Sequence, residues 1–186
     1  MKGEEQSGLQ EGTGEGPVPF FAVQMWVSAT EPARGTERSD PVKLLIRQGR
    51  LVDPVGGIGG VMDILMEDGK VTVIGSNINE PGAQIIDAAG LTVCAGLVDM
   101  HVHLREPGFE YKETIETGAA AAARGGFTSI ACMPNTRPTV DCPEQVDFVR
   151  RKAAEACGVH VWPIGSVSKG QRGQELTDFE ALKGAG

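Results

Sequence analysis

Gly96-Leu-Val-Asp99-Met-His101-Val-His103-Leu-Arg105-Glu-Pro107-Gly108 is the stretch on which the reading of this chain turns. Polar and apolar residues alternate through residues 98–105, as they do on a β-strand whose successive side chains point to opposite faces. Asp99, His101, His103 and Arg105 share one face, while Met100, Val102 and Leu104 take the other. Downstream, strand and helix signals alternate. An Ala-rich helix over 113–124 is stopped by Gly125-Gly126, and a second strand follows over 127–133. A second helix opens at Asp141-Cys-Pro143-Glu144 and runs to about Cys157; a third strand covers 159–164, and a short helix runs from Thr177-Asp-Phe-Glu180 to Lys183, with Gly184 in the stop position. Both of these helix starts have the spacing of a capping box, the first with proline in its first turn. The alternation predicts an α/β protein: the first three βα units of a TIM (β/α)8 barrel. A complete barrel needs eight units and about 250 residues. Residues 95–186 are therefore expected to form a truncated barrel with an open sheet edge.

Upstream of Ala95 the pattern is different. Short β-branched runs at 42–47, 50–52, 61–66, 71–74, 84–86 and 91–93 are separated by turns, and Asp68-Gly69 is a strong tight-hairpin signal. Residues 41–94 thus read as a small antiparallel β domain that packs on something else in the chain. Residues 1–40 are rich in Gly, Glu, Ser, Thr and Pro, with three basic against seven acidic side chains, and are expected to be a disordered or non-native extension.

Composition narrows the function. The chain has 186 residues, 17 basic and 25 acidic, and a net charge of -8, which argues against a surface built to neutralise nucleic-acid phosphates. No apolar run approaches the 18 residues a membrane span requires, and the apolar stretch near residue 20 follows acidic residues rather than a basic leader. Cys94, Cys132, Cys142 and Cys157 form neither a CxxC pair nor a regular framework. They read as reduced, mostly buried residues of a cytoplasmic protein.

The chemistry is concentrated at strand ends. In a barrel the polar face of residues 97–104 points into the mouth, where barrel enzymes place their reacting groups. Two imidazoles two residues apart on such a strand can converge on one zinc ion, with ring nitrogens at about 2.0 to 2.1 Å. The plain alternative is a pair of strand histidines without metal. Met133-Pro134-Asn135-Thr136, past the second strand, places an amide where it can donate to and accept from a ligand, although Pro-Asn is also ordinary turn chemistry.

These residues resemble dihydroorotase of the amidohydrolase superfamily, of the bacterial class I type. The resemblance runs from about Val42 to Gly186. It rests on the Asp99 to Gly108 stretch, on Lys112-Glu-Thr-Ile-Glu-Thr117-Gly118, on Gly125-Gly126-Phe127-Thr128 and on Met133-Pro134-Asn135-Thr136-Arg137-Pro138. It implies a zinc-dependent cyclic amidase that interconverts N-carbamoyl-L-aspartate and L-dihydroorotate in pyrimidine synthesis, with a binuclear zinc site in the complete enzyme. Carried over by motif, His101 and His103 are metal ligands, and Arg105 and Asn135 hold the substrate carboxylate. Apart from the motif, Asp99 is a candidate to orient a ligand histidine by accepting a hydrogen bond from it. Hydantoinase and allantoinase share the His-x-His strand, so Arg105 and Asn135 are the residues that point to dihydroorotase. The resemblance also admits a homodimer or a complex with aspartate carbamoyltransferase, in which a non-catalytic homologue is the competing reading.

The chain departs from the family in what it lacks. The bridging aspartate, the further histidines and the proton-shuttling aspartate of the family belong to later strands. No residue here is assigned as general acid or base, and the piece is expected to be inactive alone. His160, inside the third predicted strand, reads as structural, and Lys169 reads as a solvated loop residue rather than a carbamylated metal bridge.

Overall fold

The structure, a computed structural model, describes residues 42–156 and 158–186. The expectations for residues 1–40 and for Cys157 lie outside the described residues.

Five strands come first: β1 (Lys43–Asp53), β2 (Ile58–Glu67), β3 (Lys70–Gly75), β4 (Gln84–Asp87) and β5 (Thr92–Cys94). The runs at 42–47 and 50–52 join into the single strand β1. Its register against β2 shifts between Ile46 and Gly49, and Gln48 takes a left-handed φ of 58° there. The β2–β3 hairpin turns at Asp68 and Gly69, with φ of 48° and 78°, as the Asp-Gly pair predicts for a turn with both central residues at positive φ. The expectation of an antiparallel domain is corrected in part. β1 and β2, and β2 and β3, pair antiparallel, but β4 and β5 both pair with β1 in parallel, one against each half of that long strand. Sequence runs separated by loops carry no sign of strand direction, which here is fixed by the chain crossing back over the sheet. Leu44, Ile46, Leu51, Ile64, Ala88 and Val93 form the buried core of this unit.

The second unit is βα in pattern, and the fold class expected from the sequence holds. β6 (Leu97–Val102), β7 (Phe127–Cys132) and β8 (His160–Pro163) form a parallel sheet in that order. They alternate with α1 (Ile115–Arg124), α2 (Pro143–Glu155) and α3 (Phe179–Ala185), a part of a barrel rather than a closed one. α1 packs on β7 and α2, and α2 packs on β8 and α3. A second core, centred on Leu104, Ile115, Ile130, Val140 and Val149, lies between sheet and helices. Val102 and Leu104 join it as expected of the apolar face of β6, but Val98 and Met100 on that face are 63% and 77% exposed, since no described helix reaches them.

Helix starts also differ from expectation. α1 begins two residues into its predicted range, with the Thr114 hydroxyl accepting from the Thr117 N–H and the Thr117 side chain accepting from the Thr114 amide. Cys142, not Asp141, is the N-cap of α2, and it makes no side-chain cap; the Asp141 carboxylate instead accepts from the Gly170 amide at 2.6 Å. At α3 the cap is Asp178, accepting from Ala181 at 2.9 Å, because the Thr177 hydroxyl is drawn inward to the Ser166 carbonyl. That helix continues through Gly184 to Ala185.

Candidate active site at the strand ends

The site is assembled from the C-terminal ends of β6 and β7 and the loops that leave them. Buried Leu104, 5% exposed, fixes the apolar side of the first of these segments. Its neighbours His101 and His103 project from the opposite side, with ring centroids 5.3 Å apart and planes inclined at 63°. The β6–β7 ladder slips between Asp99 and Val102, and the Asp99 carboxylate accepts from the His101 backbone N–H at 3.0 Å. Asp99 therefore acts on the peptide of His101; the structure places it on that amide and not on an imidazole.

Asn135 comes to His103 from β7. Its Oδ1 lies 2.9 Å from His103 Nδ1, in a loop held by Met133 N–H to the Val102 carbonyl at 2.9 Å and by Val140 N–H to the Pro134 carbonyl at 3.1 Å. Arg105 sits in a turn in which Glu106 N–H bonds the Leu104 carbonyl at 2.7 Å, and its own φ is 64°. A left-handed, non-glycine residue at a strand mouth is a conformation that the surrounding structure must hold in place. Among the described residues no carboxylate lies within ion-pair distance of its guanidinium.

Two supporting residues were not visible to sequence reasoning. Glu106 is 9% exposed; its Oε2 accepts from the Ile115 N–H at 2.9 Å and its Oε1 lies 3.7 Å from Lys152 Nζ, so it ties the arginine turn to α1 and α2. Gly108 has φ of 93°, and a Cβ there would stand 2.2 Å from the Arg137 carbonyl oxygen. With Arg137 N–H on the Pro107 carbonyl at 2.9 Å, the loops after β6 and β7 are pressed together backbone to backbone. The Glu-Pro-Gly run was the available signal, but it reads as a turn unless the partner loop is known.

The remaining sequence candidates fall outside this grouping. His160 opens β8 exposed, 6.4 Å from the Trp162 ring, and Lys169 is ion-paired with Glu175. Among the described residues no three His, Cys, Asp or Glu side chains gather closely enough to hold a metal; His101 and His103 stand as a pair. Cys94, Cys132 and Cys142 are free thiols, and burial pushes the Cys132 thiol up to about 11.

A parallel-strand mouth carrying a histidine pair, an arginine and an amide, behind a small β unit, defines part of an amidohydrolase-type βα barrel. Solved structures agree: an L-hydantoinase (dihydropyrimidinase) from Arthrobacter aurescens superposes with a TM-score of 0.60 at 29% identity, covering 67% of this chain and 28% of that one. A D-hydantoinase gives 0.59 at 31%, covering 68% and 28%. More particularly, the chain belongs to the dihydro-orotase-like family, whose model matches residues 90–186. The dihydroorotase of Acetivibrio thermocellus is 54% identical over 143 residues, 77% of this chain and 34% of that protein. The chain spans about a third of the length of the curated relatives it matches.

Proposed function

We propose that this chain supplies the opening part of the active site of a zinc-dependent dihydroorotase, which interconverts N-carbamoyl-L-aspartate and L-dihydroorotate in pyrimidine synthesis. One observation carries the reading: His101 and His103 stand side by side at the strand mouth, with the Asn135 amide joined to His103. The two rings fit a zinc ion as a neutral nitrogen pair, and the family's further ligands would complete the set. When bound, zinc supplies a nucleophilic hydroxide at neutral pH and polarises the scissile amide carbonyl. Arg105 offers a planar fork for the substrate carboxylate, and the Asn135 NH2 group adds a donor to the same anion. Asp99 holds the His101 peptide, and so the height of its ring on the strand. No residue of the chain is assigned as general acid or base in this reading, and the chain alone is expected to bind but not to turn over.

In this reading residues 41–94 form the N-terminal part of a composite β domain and residues 95–186 the first part of the barrel, a division that the two separate cores support. Free thiols, and the absence among the described residues of any helix long and apolar enough to cross a membrane, support a cytoplasmic setting. The partner is first of all the small-molecule substrate, while a homodimer or an aspartate carbamoyltransferase complex is a matter for the sedimentation of the native assembly. The hydantoinase likeness favours a second reading, an uncharged cyclic-amide substrate. Calorimetry separates them. Zinc is expected to bind the chain and to be lost in His101→Ala and His103→Ala, and dihydroorotate is expected to bind the zinc-loaded chain in a manner abolished by Arg105→Gln. Equal binding of hydantoin and dihydroorotate, indifferent to that substitution, would favour the second reading.

A further inference from the structure

Asn135 faces two ways. Its Oδ1 is within hydrogen-bond distance of His103 Nδ1, and its NH2 group remains for another acceptor. A neutral imidazole has one protonated nitrogen and one lone pair, and the hydrogen bond made by one nitrogen decides which is which. An amide oxygen accepts and cannot donate, so the Nδ1 that meets it carries the proton, and Nε2 keeps the lone pair. We propose that Asn135 is a positioning residue for His103: its amide oxygen locks the ring in the Nδ1–H form and at a fixed rotation, presenting Nε2 to the metal. The same contact fixes the rotation of the Asn135 amide, so that its NH2 group is turned away from the ring and left for another acceptor, the substrate carboxylate in the reading above. This rests on the reading of His103 as a zinc ligand given above, and adds to it that one side chain serves metal and substrate at once.

Several features support the assignment. The bond spans 32 positions of sequence and joins the ends of adjacent strands, so it reports a tertiary placement rather than a local turn. Both ends are held from behind, His103 by buried Leu104 beside it and Asn135 by the backbone bonds of Met133, Thr136 and Val140. Outer partners of ligand histidines fix tautomer and orientation in metal sites generally, and their loss costs roughly 10- to 100-fold in affinity. His101, whose backbone rather than ring is held by Asp99, serves as an internal comparison.

The test is long-range 1H–15N correlation of the metal-free, 15N-histidine-labelled chain at a pH where both rings are neutral, with zinc affinity from chelator competition alongside. In the unsubstituted chain His103 is expected as the Nδ1–H tautomer. Asn135→Ala is expected to release it toward Nε2–H and to weaken zinc by roughly 10-fold or more. Asn135→Asp, whose carboxylate still accepts, is expected to restore the Nδ1–H form. An Nε2–H His103 in the unsubstituted chain, or a tautomer unmoved in Asn135→Ala while the other histidine and methyl resonances show the fold intact, overturns the proposal. Failure of the chain to bind zinc at all, with the tautomer as expected, sinks the metal reading of His103 and with it the purpose assigned to the lock.

Discussion

Arg105 shows how a single residue's backbone can matter more than its side-chain chemistry. Its positive φ is held by Glu106, whose carboxylate bonds the Ile115 amide and sits near Lys152. Glu106→Ala leaves the fully buried Ile115 N–H without its acceptor, and is expected to cost about 2 kcal/mol in urea unfolding, against about 1 kcal/mol or less for Glu106→Gln, which keeps an oxygen there. Cys132 gives a pH signature of its own. Its thiol is pushed by burial from 9.0 to about 11, so between those values the unfolded chain has lost a proton that the folded chain retains. Stability is therefore expected to fall as pH rises from 9 toward 11, by up to about 2 kcal/mol, and Cys132→Ser to flatten that slope. At this scale the sequence was informative about the histidine pair, because period-two alternation puts the two on one side, but β6 ends at Val102 and Arg105 lies past it in a left-handed turn, where strand alternation no longer sets the face. The sequence was silent on Glu106 and on the Asn135 to His103 bond, since both depend on partners brought from elsewhere in the chain. Asp99 illustrates the intermediate case: its face was legible, its partner was not, because a slip in the ladder freed a backbone amide that no pattern of side chains announces.

Elements were legible in kind and less so at their ends. Helices α1 and α2 and the three parallel strands fall where periodicity and glycine stops put them, while the caps of α2 and α3 moved by a residue where a competing hydrogen-bond partner was near. Asp141 is the clear example, its carboxylate satisfied by Gly170 and thus absent from the cap of α2. Thr114, which does cap, is expected to cost about 1 kcal/mol when changed to Ala, measured as a shift in the urea midpoint, whereas Asp141→Ala is expected to loosen the loop around Gly170 and leave α2 intact by amide exchange. Strand direction in the first unit was not legible, because alternation and turn residues are the same for a parallel as for an antiparallel neighbour. The length of β1, with its bulge at Gln48, is what allows two short parallel strands to share one side of it.

At the scale of the molecule, two cores stand apart, one inside the mixed sheet and one between the parallel strands and their helices. Leu44→Ala and Ile130→Ala each remove a buried side chain, and each is expected to cost about 2 to 5 kcal/mol. Hydrogen exchange is expected to show the loss confined to the unit that was changed, and exchange spreading evenly through both would contradict their independence. The parallel arrangement followed from the alternating pattern; the pairing of the two loops at the mouth did not. That pairing, Gly108 against the Arg137 carbonyl and Arg137 N–H on Pro107, has a consequence for descent. Changes between 105 and 109 are felt between 134 and 138, so substitutions in the two loops are expected to be strongly non-additive. A lineage that alters what this mouth accepts must then revise both loops in concert, and intermediates changed in only one are the ones selection discards.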